Sequence, residues 1–322
     1  MTLRIGTRGS QLALFQANAV ATLLRDGASI ESEIVVIRTS GDRLAEATLA
    51  QIGGKRLFVK EIEDALLAGE VDLAVHSSKD MPAVLPEGLD VAAVLPREDA
   101  RDALVLPEAR TIVGTIHDVV EALGRAPRIG TSSVRRSAQL IRLFPGAHFA
   151  PVRGNLDTRL RKVDAGDFDA IVLAAAGLRR LQHADRISVP LPVDACIPAP
   201  GQGIIAVEIR SADDRVRALL RRISDRDAEI ALAAERAVVT RLGGGCQMPI
   251  GAYATVDGDH LSVIAVVVSP DGARAERAHT AGSASDAAAV GTAAADGLLE
   301  AGAGEILEAV KQAQAAVEGI QP

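Results

Sequence analysis

Aromatic residues are scarce in this 322-residue chain. Tryptophan is absent, one tyrosine and five phenylalanines are present, and aromatic residues make up only 2% of the sequence. Proteins that stack nucleic-acid bases need aromatic side chains, and proteins that hold the phosphate backbone need a basic surface. The scarcity of aromatics and the formal net charge of -7 therefore argue against a general nucleic-acid binder. Alanine, valine and leucine must build the core.

Cysteines, long apolar runs and metal-ligand patterns are scarce as well. No apolar run approaches the ~20 residues of a membrane helix, and the first residues lack the basic and apolar regions of a signal peptide. We therefore expect a cytoplasmic protein that binds no membrane, in which Cys196 and Cys246 form no disulfide. The six histidines show no metal-binding spacing, so no metal site is predicted.

The chain begins with an α/β pattern. Short β-branched runs at residues 3–7, 34–39, 73–76 and 91–95 alternate with helical patterns, which is typical of buried parallel strands. A second series follows at 103–106, 128–130, 148–152 and 170–174. Helices are predicted to begin behind Ser10, near Ser133 and near Asn155. The tetrapeptide Arg-Ile-Gly-Thr occurs at 4–7 and again at 128–131, which favours a duplicated architecture.

The pattern changes after Glu208. A charged helical tract runs to Arg241, and strands at 250–256 and 261–268 then read as antiparallel, followed by alanine-rich helices. We predict three domains: residues 1–98 with 201–218 (α/β), 99–200 (α/β) and 219–322 (a smaller α+β domain). Two chain crossings, at 96–102 and 190–203, would join the first two domains and act as a hinge.

Two segments combine strand ends, small hydroxyl residues, helix starts and arginines. They are Gly-Thr-Arg-Gly-Ser at 6–10, with Arg8 and Ser10, and Gly-Thr-Ser-Ser-Val-Arg-Arg at 130–136. Free N–H groups and guanidinium groups at a helix start bind carboxylate or phosphate. An ordinary capped helix with solvated arginines explains either segment alone equally well.

Further cations follow predicted strand ends or lie in a long connection. Arg153, Arg159 and Arg180 could line one cleft at the carboxyl edge of a sheet, although each alone could be a surface arginine kept for solubility. Lys55 and Phe58 follow a long polar connection, which is typical of a lid or of a solvated loop. The segment from Arg125 to Lys162 holds eight arginines and one lysine against the single acid Asp157. This local field would attract small anions.

The segment Val-His-Ser-Ser-Lys-Asp-Met-Pro at 75–82 places polar groups directly after a buried strand. Active-site residues of α/β proteins occupy this position, which makes Asp80 the best candidate for a catalytic carboxylate. A turn-forming aspartate before proline is the alternative, and His76 is interpreted as a packed or hydrogen-bonded histidine.

Three glycines precede Cys246 in Leu-Gly-Gly-Gly-Cys-Gln-Met-Pro at 242–249. Such a permissive loop suits a cysteine that carries a covalent group, and a small residue that fills a turn is the other interpretation. Cys196 lies beside Ile197 and Pro198, so burial is expected for it.

Taken together, the motifs resemble the porphobilinogen deaminase family. They run in the family's order from residue 6 to 251: Gly-Thr-Arg-Gly-Ser, Gly-Gly-Lys-Arg-Leu-Phe-Val-Lys-Glu, His-Ser-Ser-Lys-Asp-Met-Pro, Gly-Thr-Ser-Ser-Val-Arg-Arg, Arg-Gly-Asn-Leu-Asp-Thr-Arg-Leu, Pro-Ala-Pro-Gly-Gln-Gly and Gly-Gly-Gly-Cys-Gln-Met-Pro-Ile-Gly. The resemblance implies two α/β domains like those of periplasmic binding proteins and a smaller α+β third domain.

The resemblance also implies the activity. A dipyrromethane cofactor held by a thioether at Cys246 would prime the head-to-tail condensation of four porphobilinogen molecules, with release of ammonia and hydroxymethylbilane. Asp80 matches the family's catalytic aspartate. The cofactor-binding residues are implied to be Ser77, Lys79, Thr131, Ser133, Arg135, Arg136 and Gln202 beside Cys246, and the substrate-binding residues Arg8, Ser10, Lys55, Phe58, Arg153, Arg159 and Arg180.

The implied enzyme is a transferase of porphyrin and heme biosynthesis. We expect a monomer that transiently hands its product to uroporphyrinogen-III synthase. Two other classes stay open at this point: a carboxylate-binding solute receptor or effector-sensing module, and an unrelated α/β enzyme that acts on phosphorylated substrates. Neither class needs the glycine-rich cysteine loop.

Overall fold

The computed structural model of the chain describes residues 2–39, 59–110, 114–245 and 247–318. Its strands are β1 (Thr2–Thr7), β2 (Glu31–Val36), β3 (Leu73–Ser77), β4 (Leu89–Val94), β5 (Asp102–Val105), β6 (Arg128–Gly130), β7 (His148–Ala150), β8 (Ala170–Ala174), β9 (Val189–Pro190), β10 (Ile205–Arg210), β11 (Ile250–Asp257), β12 (His260–Val268) and β13 (Ala275–Ser283). Its helices are α1 (Gln11–Ala28), α2 (Lys60–Leu67), α3 (Ile116–Leu123), α4 (Val134–Leu140), α5 (Leu156–Asp164), α6 (Ala175–Arg180), α7 (Asp214–Leu220), α8 (Arg226–Arg241), α9 (Ala287–Glu300) and α10 (Ala303–Glu318). Within these described ranges, every helix is too short or too polar to cross a membrane.

The first sheet has the strand order β2-β1-β3-β10-β4. Strand β1 pairs in parallel with β2 and β3, whereas β10 runs antiparallel to β3 and β4. The four strands predicted at the start of the chain are therefore parallel to one another, as expected. Strand β10, which the sequence pattern did not predict, runs antiparallel because it enters this sheet when the chain returns from the second sheet. Helix α1 covers one face through Ala17, Val20 and Leu24, and Val216, Leu220 and Ile223 pack in the same core.

The second sheet repeats this plan with the order β7-β6-β8-β5-β9. Strand β6 is parallel to β7 and β8, and β5 is antiparallel to β8 and β9. The two Arg-Ile-Gly-Thr segments lie at β1 and β6, which hold the same place in their sheets. The predicted duplication is confirmed by this shared strand order.

Most predicted elements form where the sequence pattern placed them. The side chains of Ser10, Ser133 and Asn155 accept N-terminal hydrogen bonds of α1, α4 and α5, as N-cap residues do. The strand expected at 34–39 lies at Glu31–Val36 instead, and the tract expected to be helical from Glu208 is the end of β10 followed by α7 and α8.

The third sheet is antiparallel, with the order β11-β12-β13. Helices α8, α9 and α10 cover one face through apolar residues such as Val238, Leu298 and Leu307. The other face packs on the second domain, where Ala138 of α4 and Ile197 contact Val266 and Val268 of β12. The domain with the glycine-rich cysteine loop is thus packed directly on the helix that carries Arg135 and Arg136.

The two chain crossings meet at one buried carboxylate of α8. Glu235 accepts hydrogen bonds from Arg97 Nη1 at 2.6 Å, from Gly201 N at 2.6 Å and from Ala254 N at 2.7 Å. The Arg97 guanidinium lies over the Tyr253 ring, 4.8 Å from its centroid. We call Arg97, Gly201, Glu235, Tyr253 and Ala254 the crossing cluster. It joins both crossings to the third domain.

The domain boundaries given above remain a prediction from the sequence.

Candidate functional site

The carboxyl end of β3 forms the wall of a first cavity. Ser77 ends the strand, a short 3-10 turn follows at Ser78–Asp80, and Ser78 N donates to Ile204 O of the second crossing. This turn leaves the Asp80 side chain exposed, as a carboxylate that must meet a ligand requires. The first cavity is lined by Arg8, Ser10, Leu12, Ala13, Gln16, Val59, Val75, His76, Ser77 and Asp80.

Two buried arginines of α4 share one carboxylate. Arg135 Nη1 donates to Asp102 Oδ2, and Arg136 Nη2 donates to Asp102 Oδ1, both at 2.7 Å. Burial alone would raise the pKa of Asp102, but the charges of Arg135 and Arg136 and their hydrogen bonds hold it well below its usual range. One negative charge against two guanidinium groups leaves one unit of positive charge unmatched in this cluster.

Arg136 is held on every guanidinium nitrogen. Its Nε also donates to Asp102, and its Nη1 donates to Val172 O at 3.0 Å. Arg135 differs, because its hydrogen bonds to the described residues all use Nη1, which donates to Asp102 and to Ile197 O. The structure therefore gives Arg135 more donor capacity toward a ligand than Arg136.

Gln202 and Lys79 extend this cluster toward the first cavity. Gln202 is buried, its Nε2 donates to Asp102 Oδ1 at 2.8 Å, and its Oε1 accepts a long contact from Lys79 Nζ at 3.5 Å. Burial lowers the pKa of Lys79 to about 8, with Asp80 opposing this shift and Arg136 adding to it. Lys79 thus lies within electrostatic reach of both the aspartate and the arginines.

Arg159 and Arg153 add further positive charge. Burial lowers the pKa of Arg159 to about 10, Arg136 and Arg153 lower it further, and Asp80 opposes them. Arg159 Nε donates to Gly154 O, whereas Arg153 makes no hydrogen bond or ion pair to any residue that the structure describes. Arg159 is consequently within electrostatic reach of Arg136, Arg153 and Asp80. The binding roles of these residues stay a prediction.

A second cavity connects this cleft to the third domain. Its polar and charged lining consists of Ser78, Lys79, Ser133, Arg135 and Arg236, and its apolar lining includes Met81, Leu232, Val239, Met248 and Ile250. Gly245, which directly precedes Cys246, also lines it. Apolar walls suit pyrrole rings and the cations suit their carboxylates, so the residues present fit a dipyrromethane.

The remaining predicted site residues are placed as follows. Ser77 Oγ is hydrogen bonded to Gln16, and Thr131 Oγ1 accepts from Ser133 N. Arg180 Nη2 donates to Gly203 O at 2.6 Å, and burial lowers its pKa. Lys55, Phe58 and Cys246 lie outside the described residues.

Cys196 is fully buried, as expected, with its Sγ 3.4 Å from Asp102 Oδ2. His76 is hydrogen bonded to Glu208 at 3.1 Å, in agreement with its interpretation. Among the described residues, no three His, Cys, Asp or Glu side chains come together in a group that could hold a metal ion.

Sequence reasoning missed Asp102 and Arg236. Asp102 was assigned to a polar connection, although it opens β5 and is buried beneath α4. The signal for Asp102 was its position directly before the apolar run at 103–106, because a buried acid needs a cationic partner such as the Arg135-Arg136 pair. Arg236 gave none, because it lies in a tract with charges at many positions.

The fold and these cavities define a class of protein: a three-sheet α/β protein with an arginine-lined cleft for an acidic ligand. Two family profiles match the chain. One is described as "Porphobilinogen deaminase, dipyromethane cofactor binding domain" and matches residues 3–218; the other is described as "Porphobilinogen deaminase, C-terminal domain" and matches residues 230–300. The chain belongs to the porphobilinogen deaminase family.

Relatives of nearly the same length agree with these matches. A porphobilinogen deaminase from Syntrophotalea carbinolica is 47% identical over 96% of this chain and 96% of its own length. One from Acidithiobacillus ferrooxidans is 47% identical over 97% of this chain and 99% of its own length. Among solved structures, an ancestral cationic amino acid solute binding protein matches with a TM-score of 0.43 and 16% identity, over 69% of this chain and 88% of that one.

Family membership confirms the predicted enzyme class, a transferase that acts on porphobilinogen, and the dipyrromethane cofactor. It confirms the predicted fold class as well, because the two α/β sheets and the smaller α+β domain correspond to the two matched regions. The receptor or sensor alternative and the phosphorylated-substrate alternative receive no support.

Proposed function

We propose that Cys246 carries the dipyrromethane primer and that four porphobilinogen molecules are condensed on it head to tail, with release of ammonia and hydroxymethylbilane. The single observation that carries this proposal is the second cavity. It runs from Gly245, the neighbour of Cys246, to Lys79, Ser133 and Arg135. A group anchored at residue 246 would therefore lie against the cations of the cleft.

In this proposal, Lys79, Ser77, Thr131, Ser133, Arg135, Arg136 and Gln202 hold the cofactor. When bound, the cofactor supplies the pyrrole ring to which the first substrate is joined. Arg135 and Lys79 would meet its carboxylates, and Gln202 and Asp102 would fix Arg136 and Arg135 in place. The apolar residues of the second cavity exclude water from the rings.

Asp80 is the proposed catalytic residue. Porphobilinogen loses ammonia from its aminomethyl carbon, which leaves a cationic pyrrole with its charge shared between the ring nitrogen and the methylene carbon. A fixed carboxylate beside that ring lowers the energy of the cation and can accept the pyrrole N–H hydrogen bond. Asp80 lines the first cavity with Arg8 and Ser10, which would bind the acidic arms of the incoming molecule.

The substrate's own charge explains the number of cations. Each added pyrrole brings two carboxylates into the cleft, and their mutual repulsion would stop elongation unless fixed positive charges met them. Arg153, Arg159 and Arg180 are proposed for this role, with Lys55 and Phe58 on the substrate side. The unmatched positive charge of the Arg135, Arg136 and Asp102 cluster supports it.

We further propose that the enzyme works in the cytoplasm as a monomer and hands its product transiently to uroporphyrinogen-III synthase. Membership of the porphobilinogen deaminase family motivates the first statement. The hydroxymethyl end of a linear tetrapyrrole is reactive, which motivates the second. Sedimentation analysis with and without the synthase tests both the monomer and the hand-off.

Intact-protein mass spectrometry tests the anchor. The purified enzyme should carry the added mass of one dipyrromethane, and Cys246→Ala should lack it and make no product from porphobilinogen. Cys196→Ala is the matched control, because it removes the other thiol and should retain the added mass. An unmodified wild-type chain that forms hydroxymethylbilane would overturn the proposal.

A further inference from the structure

A buried histidine and a buried glutamate form a pair at the base of the first cavity. His76 lies on β3 and Glu208 on β10, and their side chains are 3% and 0% exposed. Across the two strands, Ala206 pairs with His76 and Glu208 pairs with Ala74. His76 and Glu208 are therefore diagonal neighbours on the same face of the sheet, and His76 Nε2 lies 3.1 Å from Glu208 Oε2.

Glu208 is enclosed by protein, whereas His76 borders the first cavity. Glu208 Oε1 is buried and has no hydrogen-bond partner among the described residues, so in that part of the chain the imidazole is the one hydrogen-bond partner of this carboxylate. His76 lines the first cavity together with Asp80, and its Nδ1 makes no hydrogen bond in the part of the chain that the structure describes. A carboxylate on one ring nitrogen and a ligand cavity beside the other is the arrangement of a general base.

We propose that His76 is the proton acceptor of the condensation and that Glu208 is its positioning residue. The inference rests on the proposed function and assigns one of its steps. The aminomethyl group of porphobilinogen reacts in its ammonium form, so when the C–N bond breaks, neutral ammonia leaves with the electron pair and the cationic methylene remains. The nucleophilic pyrrole supplies the electrons of the new C–C bond, and its α-carbon then carries one hydrogen too many.

Loss of this hydrogen as a proton restores the aromatic ring. His76 Nδ1 accepts the proton, the C–H electron pair returns to the pyrrole, and Glu208 offsets the positive charge that the imidazole gains. The proton then passes to the departing ammonia, which leaves as ammonium. Asp80 keeps its separate role beside the cationic methylene. Asp80 thus stabilises the positive charge, and His76 transfers the proton.

Charged groups from three elements surround the pair. Arg8 and Asp80 line the first cavity with His76, and Arg236 of α8 is within electrostatic reach of Glu208. A general base works only while it is unprotonated. The part of the rate that depends on His76 should therefore fall in acid.

His76→Gln is the sharpest variant, because the glutamine amide can still donate to Glu208 but offers no basic nitrogen to the cavity. We expect elongation to slow by about 100-fold or more at neutral pH, with the difference from wild type shrinking in acid. Glu208→Gln should give a smaller loss in the same pH range. His260→Gln, at an exposed turn of the third domain, is the control and should elongate at the wild-type rate.

An isotope effect separates a proton transfer from a structural defect. With porphobilinogen deuterated at its free α-carbon, the elongation steps after the first should show a larger isotope effect in His76→Gln than in wild type. An equal isotope effect in both proteins, or a rate loss that is independent of pH, would overturn the proposal.

Nitrogen NMR of the histidine-labelled holoenzyme supplies a readout besides activity. The signal that disappears in His76→Gln should have a protonated Nε2 and an unprotonated Nδ1 at neutral pH, and should change with pH in parallel with the elongation rate. A proton on Nδ1 would overturn the proposal even if the variant fails to fold. A wild-type protein that forms no product from porphobilinogen would instead refute the proposed function.

Discussion

Two aspartates of the cleft differ in their surroundings. Asp80 is exposed at the edge of the first cavity, whereas Asp102 is fully buried and neutralised by two arginines. A carboxylate that is ion-paired with two guanidinium groups stabilises a new positive charge less than a carboxylate without such partners. We therefore propose charge stabilisation as the role of Asp80 and the positioning of Arg135 and Arg136 as the role of Asp102.

Asp80→Asn tests this division. The change keeps the size of the side chain and removes its charge, so turnover should fall by about 100- to 1,000-fold, the usual loss for one electrostatic contact to a transition state. Mass spectrometry should still find the covalent primer. Asp185→Asn, at an exposed position of the second domain, is the control. Near-normal turnover in Asp80→Asn would remove Asp80 from the mechanism.

Lys79 gives the enzyme a pH dependence above neutrality. Its pKa in the folded protein is about 8, mainly through burial, against 10.5 for an ordinary lysine. As the pH rises through 8, Lys79 loses its charge and its hold on a carboxylate, so KM for porphobilinogen should rise. Lys79→Arg keeps the charge and should move this rise to higher pH. A KM profile that is the same in both proteins would contradict the role.

The linkage to stability has the opposite sign. Between pH 8 and 10.5 the unfolded chain holds more protons on this lysine than the folded chain. The contribution of Lys79 to the free energy of unfolding should therefore become more favourable as the pH rises through this window.

At the scale of elements, local patterns located most strands and helices, and long-range pairing decided the rest. Strand β13 (Ala275–Ser283) was missed because its sequence, Ala-Glu-Arg-Ala-His-Thr-Ala-Gly-Ser, has no large apolar residue to mark an inward face. The antiparallel direction of β10 depends on the chain returning from the second domain, which no local pattern contains. The position of Asp102 beneath α4 depends on the same tertiary contact.

Gly272, in the turn between β12 and β13, tests the contact between the third domain and α4. Its φ is +71°, and a Cβ there would lie 2.1 Å from Ile141 Cγ2. Gly258, in the turn between β11 and β12, has a φ of +62° with open space around it. Gly258→Ala should cost about 1 kcal/mol of stability through backbone strain alone. Gly272→Ala should cost clearly more, because Ile141 must also move.

Thermal unfolding of both variants, followed by circular dichroism, measures this difference. Equal losses would show that the β12–β13 turn does not press on α4 in solution.

At the scale of the whole molecule, the crossing cluster connects all three domains. Glu235 of α8 binds Arg97 of the first crossing and Gly201 of the second, and it also binds Ala254 of β11. Any change in the angle between the first two domains must turn about this point or break these hydrogen bonds. We therefore predict that movement between the first two domains during elongation keeps this cluster intact.

Glu235→Gln tests the cluster. The substitution keeps one oxygen acceptor but leaves the Arg97 charge without its partner, and it should lower the free energy of unfolding by about 3 kcal/mol. Glu300→Gln, at an exposed position at the end of α9, is the control. Urea-induced unfolding of both variants measures the effect, and a loss below ~1 kcal/mol would show that the cluster contributes little.

The crossing cluster also contains the chain's one tyrosine. With no tryptophan in the sequence, Tyr253 has no indole to receive its excitation energy, and its ring lies against the Arg97 guanidinium. Its ultraviolet emission therefore comes from a single place, the point about which we expect the first two domains to turn. The fluorescence intensity of Tyr253 in the unlabelled protein could therefore report changes in the angle between the domains during each round of elongation.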